Sequence, residues 1–185
     1  MMIIGILVGL IIAVVVALLW QRYASFVSQK LDHYQSGRPF DIRRDLNGPI
    51  LSEGLIYGPL GKVSSRFVGD FSVNWDGDRA IMIERFRYDS GNTQDRRWDL
   101  VLHPDGRISA EAEDLVGTGH GRVAGSALVL HYRIRLTEDA GGHVLSVTDW
   151  IYTTPDGVLM NRSQFRKFGL KVAELVATMR PAGEY

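Results

Sequence analysis

Three carboxylates stand on rows that should otherwise be apolar. Where side chains alternate along a strand, Glu84 shares a face with Met82, Phe86 and Tyr88, Asp114 with Ile108, Ala110, Ala112 and Val116, and Asp149 with Leu145, Val147 and Ile151. A carboxylate on a core-facing row has to be paired, protonated or close to water. The cations that spacing offers as partners are Arg97, Arg133 and Arg162, the last on the row of Val158 and Met160. One reading is a structural ion-pair network, or a bulge that turns each acid outward. The other is the polar floor of a ligand cavity, where a few convergent polar groups orient a mostly apolar guest. Trp98 and Trp150 pack well on strands, and each indole N–H seeks an acceptor that adjacent acids could supply. Asn161-Arg162 either braces a barrel end or grips a carboxylate or phosphate headgroup with the guanidinium fork. The ligand-facing set expected from sequence is Glu84, Arg97, Trp98, Asp114, Asp149, Trp150, Asn161 and Arg162.

Catalysis by Asp149 or Glu84 as a general base would need a raised pKa beside an open cavity. The chain has no G-x-S-x-G elbow, no H-E-x-x-H helix and no P-loop, so no catalytic residue is assigned. Gly117 to Gly121 (GTGHG) imitates a phosphate loop but joins two strands and opens no helix, and reads as a hairpin turn. His103, His120, His131 and His143 lack metal-ligand spacing and read as surface residues; no metal or cofactor is expected. The absence of cysteine excludes disulfides, thiolate ligands, a cysteine nucleophile and the acylated cysteine of a lipoprotein.

The elements that must position these groups are short segments of period-two alternation beyond Lys62. Strands are predicted near 63–74, 79–89, 93–103, 107–116, 122–136, 143–154, 157–166 and 170–180. Breaks at Asp76-Gly77-Asp78, Ser90-Gly91-Asn92, Pro104-Asp105-Gly106, Gly117-Thr118-Gly119, Ala140-Gly141-Gly142 and Pro155-Asp156-Gly157 separate them. Links this tight force antiparallel neighbours, since a parallel crossover needs a dozen or more residues. A meander of about eight strands buries its apolar face and removes its edges by curling into a barrel, filled or holding one small ligand. A β-sandwich is the alternative. Leu128, Leu130, Tyr132, Ile134 and Leu136 form the cleanest inward row. The last segment also carries helical spacing in Phe165, Phe168, Val172, Leu175 and Met179, but Gly169 and the need for a closing strand favour β.

Ahead of these strands, Met1 to Trp20 carry no charged or polar side chain. A helix over Ile3 to Leu19 is about 26 Å long against a hydrocarbon core of roughly 30 Å, so it spans as a retained anchor. Trp20 and Tyr23 suit the interface and Arg22 can snorkel. A cleaved signal peptide would need a basic start and a small-x-small site, and both are missing. The domains expected are 1–21 as anchor, 22–48 as juxtamembrane helix and linker, and 49–182 as barrel. Tyr23, Phe26, Val27, Leu31 and Tyr34 fall on one side of the juxtamembrane helix. Basic residues following the span lean towards a cytoplasmic domain by the positive-inside rule.

Without the anchor about 165 residues remain, enough for one core. Its 21 basic and 21 acidic side chains cancel. A general nucleic-acid binder would need a net basic footprint, so nucleic acid is not expected as a partner.

The order RRWDL (Arg96 to Leu100), AEDLVGTGHG (Ala112 to Gly121), TDWIY (Thr148 to Tyr152) and LMNRSQFRKFG (Leu159 to Gly169) resembles bacterial domain-of-unknown-function family 3833. The resemblance covers about residues 40 to 180, with Arg97-Trp98, Asp149-Trp150 and Asn161-Arg162 its most specific parts. It implies a lipocalin-like (calycin) barrel of envelope proteins, many of them lipoproteins, with no assigned catalysis and an association with lipid-modifying genes. In this chain the apolar helix replaces the lipobox cysteine. The family's envelope placement implies an inner-membrane protein with a periplasmic domain, against the lean of the charge rule.

Three functions follow. The first is a membrane-tethered, non-catalytic barrel binding a hydrophobic small molecule, such as a fatty acid or lipid whose headgroup meets Arg97 or Arg162. The second is an envelope structural or assembly protein with a filled barrel. The third is an enzyme acting on a lipid or isoprenoid through a buried acid. A hollow interior separates the first and third from the second.

Overall fold

A computed structural model describes residues 2–23 and 25–183. Ten antiparallel strands form a closed barrel: β1 (Gly48–Tyr57), β2 (Val63–Asp76), β3 (Arg79–Tyr88), β4 (Thr93–Leu102), β5 (Arg107–Ala112), β6 (Gly119–Ala124), β7 (Ala127–Arg135), β8 (Val144–Thr153), β9 (Leu159–Lys167) and β10 (Leu170–Pro181). Each strand pairs with its sequence neighbours, and β1 closes the ring on β10 from Ile50↔Pro181 to Tyr57↔Glu174. The barrel therefore has ten strands where the turn count predicts about eight. The C-terminal segment is a strand.

Both extra strands have an identifiable cause. β1 lies in a Gly- and Pro-rich stretch ahead of the first predicted strand and goes unpredicted because its inward row is Ile50, Ser52, Gly54 and Ile56, without a strong apolar alternation. Gly54 has to lack a side chain, since a Cβ there would lie 2.6 Å from the ring of Phe67. The predicted strand 122–136 splits at Gly125-Ser126 into β6 and β7. Gly125 adopts φ +56°, and a Cβ on it would sit 2.0 Å from the Tyr34 carbonyl oxygen, so a close approach by the N-terminal segment makes glycine obligatory. The strand predicted through 116 ends at Ala112, leaving Asp114 in the β5–β6 connection.

The N-terminal helix α1 (Met2–Tyr23) contains a stretch, Ile3–Trp20, long and apolar enough to cross a membrane, none of it buried against the barrel. The interfacial roles expected of the Arg22 and Tyr23 side chains lie outside the described residues. The predicted juxtamembrane helix is instead two short 3₁₀ turns, Phe26–Ser28 and Leu31–Tyr34, with extended Lys30 between them. Ser28 Oγ donates to the Ser25 carbonyl and Gln29 Nε2 to that of Phe26, side-chain bonds that compete with helix propagation. Phe26, Leu31 and Tyr34 pack on the outer wall against Ala127, Val129, Trp150 and Tyr152. The chain then turns under the barrel, where α2 (Ile42–Asp45), capped by Asp41, drives Phe40, Ile42 and Leu46 into one end. Trp75 Nε1 ties that plug down by donating to the Leu46 carbonyl at 2.8 Å. The opposite end, ringed by the β1–β2, β3–β4, β5–β6, β7–β8 and β9–β10 connections, is the mouth.

Candidate functional site: a polar waist inside the barrel

The interior is hollow in two places. A cavity of about 310 Å³ reaches from the mouth between Ile56, Phe86, Leu145, Phe165 and Leu175. A smaller one of about 90 Å³ lies towards the plug between Ile42, Leu46, Leu128 and Met179. Glu84, Trp98, Asp149 and Asn161 line both, so the four form a polar waist between two apolar chambers.

The waist is assembled by register. Glu84 on β3 faces Arg96 on β4, and Asp149 on β8 faces Ser163 on β9, which places all four on inner rows. Trp98 Nε1 donates to Glu84 Oε2 at 3.0 Å. The Arg96 guanidinium stacks over the Trp98 ring with its Cζ 4.4 Å from the centroid, and Trp98 meets Tyr132 edge-on at 5.3 Å. Arg96 lies 3.6 Å from Glu84 and closer to Asp114: Nη2 donates to Oδ1 at 2.9 Å, while Nε is 2.8 Å from Oδ2 as an ion pair whose N–H points off the line. Asp149 accepts at Oδ1 from Ser163 Oγ at 2.7 Å and from Asn161 Nδ2.

These surroundings set the charges. Burial raises the Glu84 pKa, and the attraction of Arg96 and the Trp98 hydrogen bond only partly oppose it. Burial likewise raises Asp149 against the Ser163 and Asn161 bonds. The accessible surface that Asp149 keeps opens on the cavity, not on bulk water, which is why it behaves as a buried group. Burial works against the Arg96 charge, but Glu84, Tyr132 and Asp114 together outweigh it and push its pKa up. Burial also raises Tyr132. Among the described residues lining the cavities, Arg96 is the single cation, and Asp114 already engages it. The waist offers carboxyl groups biased towards their neutral, donor-capable form.

Of the residues singled out from sequence, Glu84, Trp98, Asp149 and Asn161 line the cavities, and Asp114 reaches Arg96 from its loop. Three lie elsewhere. Arg97 points outward in an exposed ion pair with Asp99. Trp150 is on the outer wall beneath Phe26 and Tyr34. Arg162 is outside too, bonded to Glu174 at 2.6 Å and stacked on Phe26 at 5.1 Å. The inward row of β9 is Leu159, Asn161, Ser163 and Phe165, one residue out of step with the Val158–Met160–Arg162 row that hydropathy favours. Arg133 is exposed on the outer face of β7. Sequence reasoning missed Arg96, Tyr132 and Ser163 as site residues. Parity along β4 from Trp98 and Leu100 would have found Arg96.

The family model described as "Protein of unknown function (DUF3833)" matches residues 21–181. The chain belongs to that family. The match includes the outer-wall seat and the plug as well as the barrel, so these N-terminal turns are part of the family's domain. No curated protein matches the chain. Among solved structures, an S-type phycobiliprotein lyase, CPES, from Guillardia theta is similar at TM-score 0.56 and 12% identity, covering 77% of this chain and 91% of that one. A redesigned β-barrel, mFAP1, bound to DFHBI, matches at TM-score 0.39 and 10% identity over 74% of this chain and 95% of that one. The likeness to the lyase is one of fold.

Proposed function

We propose that this DUF3833 barrel binds one small, largely apolar molecule, entering by the mouth, whose polar end is neutral or carries N–H or O–H donors. The observation that carries the reading is the waist of Glu84 and Asp149, two carboxyls with raised pKa between apolar chambers. A cavity of about 310 Å³ is at the small end of ligand pockets, enough for a compact or single-chain guest and too small for a whole two-chain phospholipid. A fatty-acid carboxylate would meet two acids and an arginine that Asp114 already neutralises, so the headgroup role expected of Arg97 and Arg162 is not retained. The apolar α1 serves as the tether to a bilayer.

Native mass spectrometry of the full chain, released from detergent and followed by extraction of co-purifying molecules, tests this. The expected result is a one-to-one complex with a neutral or amine-bearing amphiphile, lost in Ala173→Trp, which fills the mouthward chamber. An apo mass that added Nile red, a neutral apolar dye, fails to shift would overturn binding. A carboxylate-headed lipid seated in the barrel would overturn the headgroup assignment alone.

A further inference from the structure

Outside α1, the large apolar side chains that fold least well into this molecule are Phe168, Leu60 and Leu170, exposed by 94%, 87% and 72%. All three sit at the mouth, Leu60 in the β1–β2 connection, Phe168 in the β9–β10 turn and Leu170 at the first position of β10. β1 pairs with β10, so the two tips are neighbours on one side of the rim. Phe168 also adopts φ +51°, a left-handed conformation that costs a bulky side chain energy and that hairpin turns ordinarily give to Gly, Asn or Asp. Its ring gains no burial in return. Lys167 lies over that ring at 5.7 Å, and Lys62 follows Leu60. The other mouth loops differ in character: Asp89-Ser90-Gly91-Asn92 joins β3 to β4, and Glu138 to Gly142 joins β7 to β8. Among the described residues of the mouth connections, the strongly exposed large apolar side chains are thus concentrated at these two tips, each with a lysine beside it.

We propose that the β1–β2 and β9–β10 tips dock the barrel mouth onto an anionic bilayer, inserting Leu60, Phe168 and Leu170 among the headgroups while Lys62 and Lys167 meet lipid phosphates. An exposed apolar cluster ringed by lysine is the composition that partitions into an anionic interface. The proposal rests on the reading of α1 as a membrane span, and the tether permits it. Phe26, where the chain meets the wall, stacks on Arg162, six residues before Phe168 on the same hairpin. With strands tilted by about 40°, that puts Phe26 about 15 Å above the tips. From Trp20 the helix through Tyr23 rises about 4.5 Å, and the chain on to Phe26 can add up to about 10 Å, enough to reach that far. The ligand path then runs from the lipid phase past Ile56, Phe165 and Leu175 to the waist.

The chain has no cysteine, so a single one is a unique label site. Leu60→Cys, Ser90→Cys and Asp156→Cys, the last at the plugged end, would be labelled with an environment-sensitive nitrobenzoxadiazole dye. The full chain would then be reconstituted in vesicles of equal parts phosphatidylcholine and phosphatidylglycerol. Docking predicts that the dye at 60 is blue-shifted, quenched by spin-labelled lipid and several-fold less quenched by aqueous iodide than at 90 or 156. Adding Phe168→Asp and Leu170→Asp should return it to water while the chain still co-floats with the vesicles. If all three dyes stay aqueous on co-floating protein, or position 156 is the buried one, the docking is overturned and the anchor and the ligand cavity stand. If the full chain does not co-float, anchor and docking fall together, again without touching the cavity.

Discussion

Glu84 and Glu174 are equally hidden, 9% and 8% exposed, and their pKa values move in opposite directions. Glu174 lies on the outer wall under the arms of Arg162 and Lys171, with donors at 2.6 Å and 2.8 Å and Gln164 Nε2 at 3.2 Å. Those bonds overcome its burial and hold it below the ordinary value. Glu84 lies inside the wall with one arginine at 3.6 Å that favours Asp114, and burial wins. Exposure alone does not decide the charge of a buried acid; the number of donors it keeps for itself, and the depth of low-dielectric wall around it, do. The outer cluster is built as a brace. The inner one is left short of cations, which is what a site awaiting a guest would look like.

Removing the single inner cation should break the inner cluster hardest. Arg96→Leu is expected to cost about 3 kcal/mol of barrel stability at neutral pH, because Glu84 and Asp114 lose their shared partner. The loss should shrink in acid, where Glu84, its pKa already raised, protonates. Urea unfolding in mild detergent at two pH values reads both. The outer wall answers with packing: Trp150→Ala should cost about 3 kcal/mol, the usual penalty for emptying a buried indole site. It should also expose Lys30 and Arg38 to trypsin, since Phe26 and Tyr34 lose their seat, while leaving a cavity ligand in place. A variant that keeps the N-terminal segment protected would mean that the bonds donated by Ser126 N–H to the Tyr34 carbonyl and by the Thr153 hydroxyl to the Arg38 carbonyl hold it unaided.

The same two clusters show where the sequence could be read. On β3, β7 and β8 the inner rows are apolar apart from one acid each on β3 and β8, so Glu84 and Asp149 stand out and their inward direction follows from parity. The barrel, its antiparallel order and the strand at the C-terminus follow from alternation and turn residues in the same way. β9 defeats that logic because its inner row carries the polar Asn161 and Ser163 of the waist, while apolar Met160 faces out, so the alternation points one residue wrong and takes Arg162 with it. β1 is hidden for a packing reason, a glycine that makes room for Phe67. The β6–β7 break is hidden for a tertiary one, an approach by Tyr34 that no local pattern encodes. The ring of ten, not eight, follows from those two misses.

Glu174→Gln sharpens the outer half of the comparison. A carboxylate with a depressed folded pKa contributes stability above its unfolded value, near 4.3, and loses it as pH falls through the folded one. The variant should therefore be about 1 kcal/mol less stable at pH 7, modest because Arg162 and Lys171 stay partly solvated, and indistinguishable from the parent in strong acid. A difference that persists at low pH would show that shape, not charge, is what Glu174 supplies.

Asp149→Asn probes the inner half and should run the other way. A raised folded pKa means that the native state holds its proton more tightly than the unfolded chain. The stability tied to that proton is complete below the unfolded value, near 3.9, and drains away as pH rises through the raised folded value. An amide keeps the acceptor that Ser163 and Asn161 use and never ionises, so the variant should match the parent at acid pH and become progressively more stable than it towards pH 8. The gain should be small, since the hydrogen bonds already recover part of the cost of burying the charge. A neutral ligand that accepts a hydrogen bond from protonated Asp149 would narrow the gap when bound, because it stabilises the form that the parent otherwise gives up. Measuring the two midpoints from pH 4 to pH 8, with and without the co-purifying molecule, therefore tests the direction of the Asp149 shift and the headgroup chemistry together. A parent more stable than Asp149→Asn at pH 8 would mean that the carboxylate is held charged there, and the waist would then have to be redrawn as an anionic site for a cationic guest.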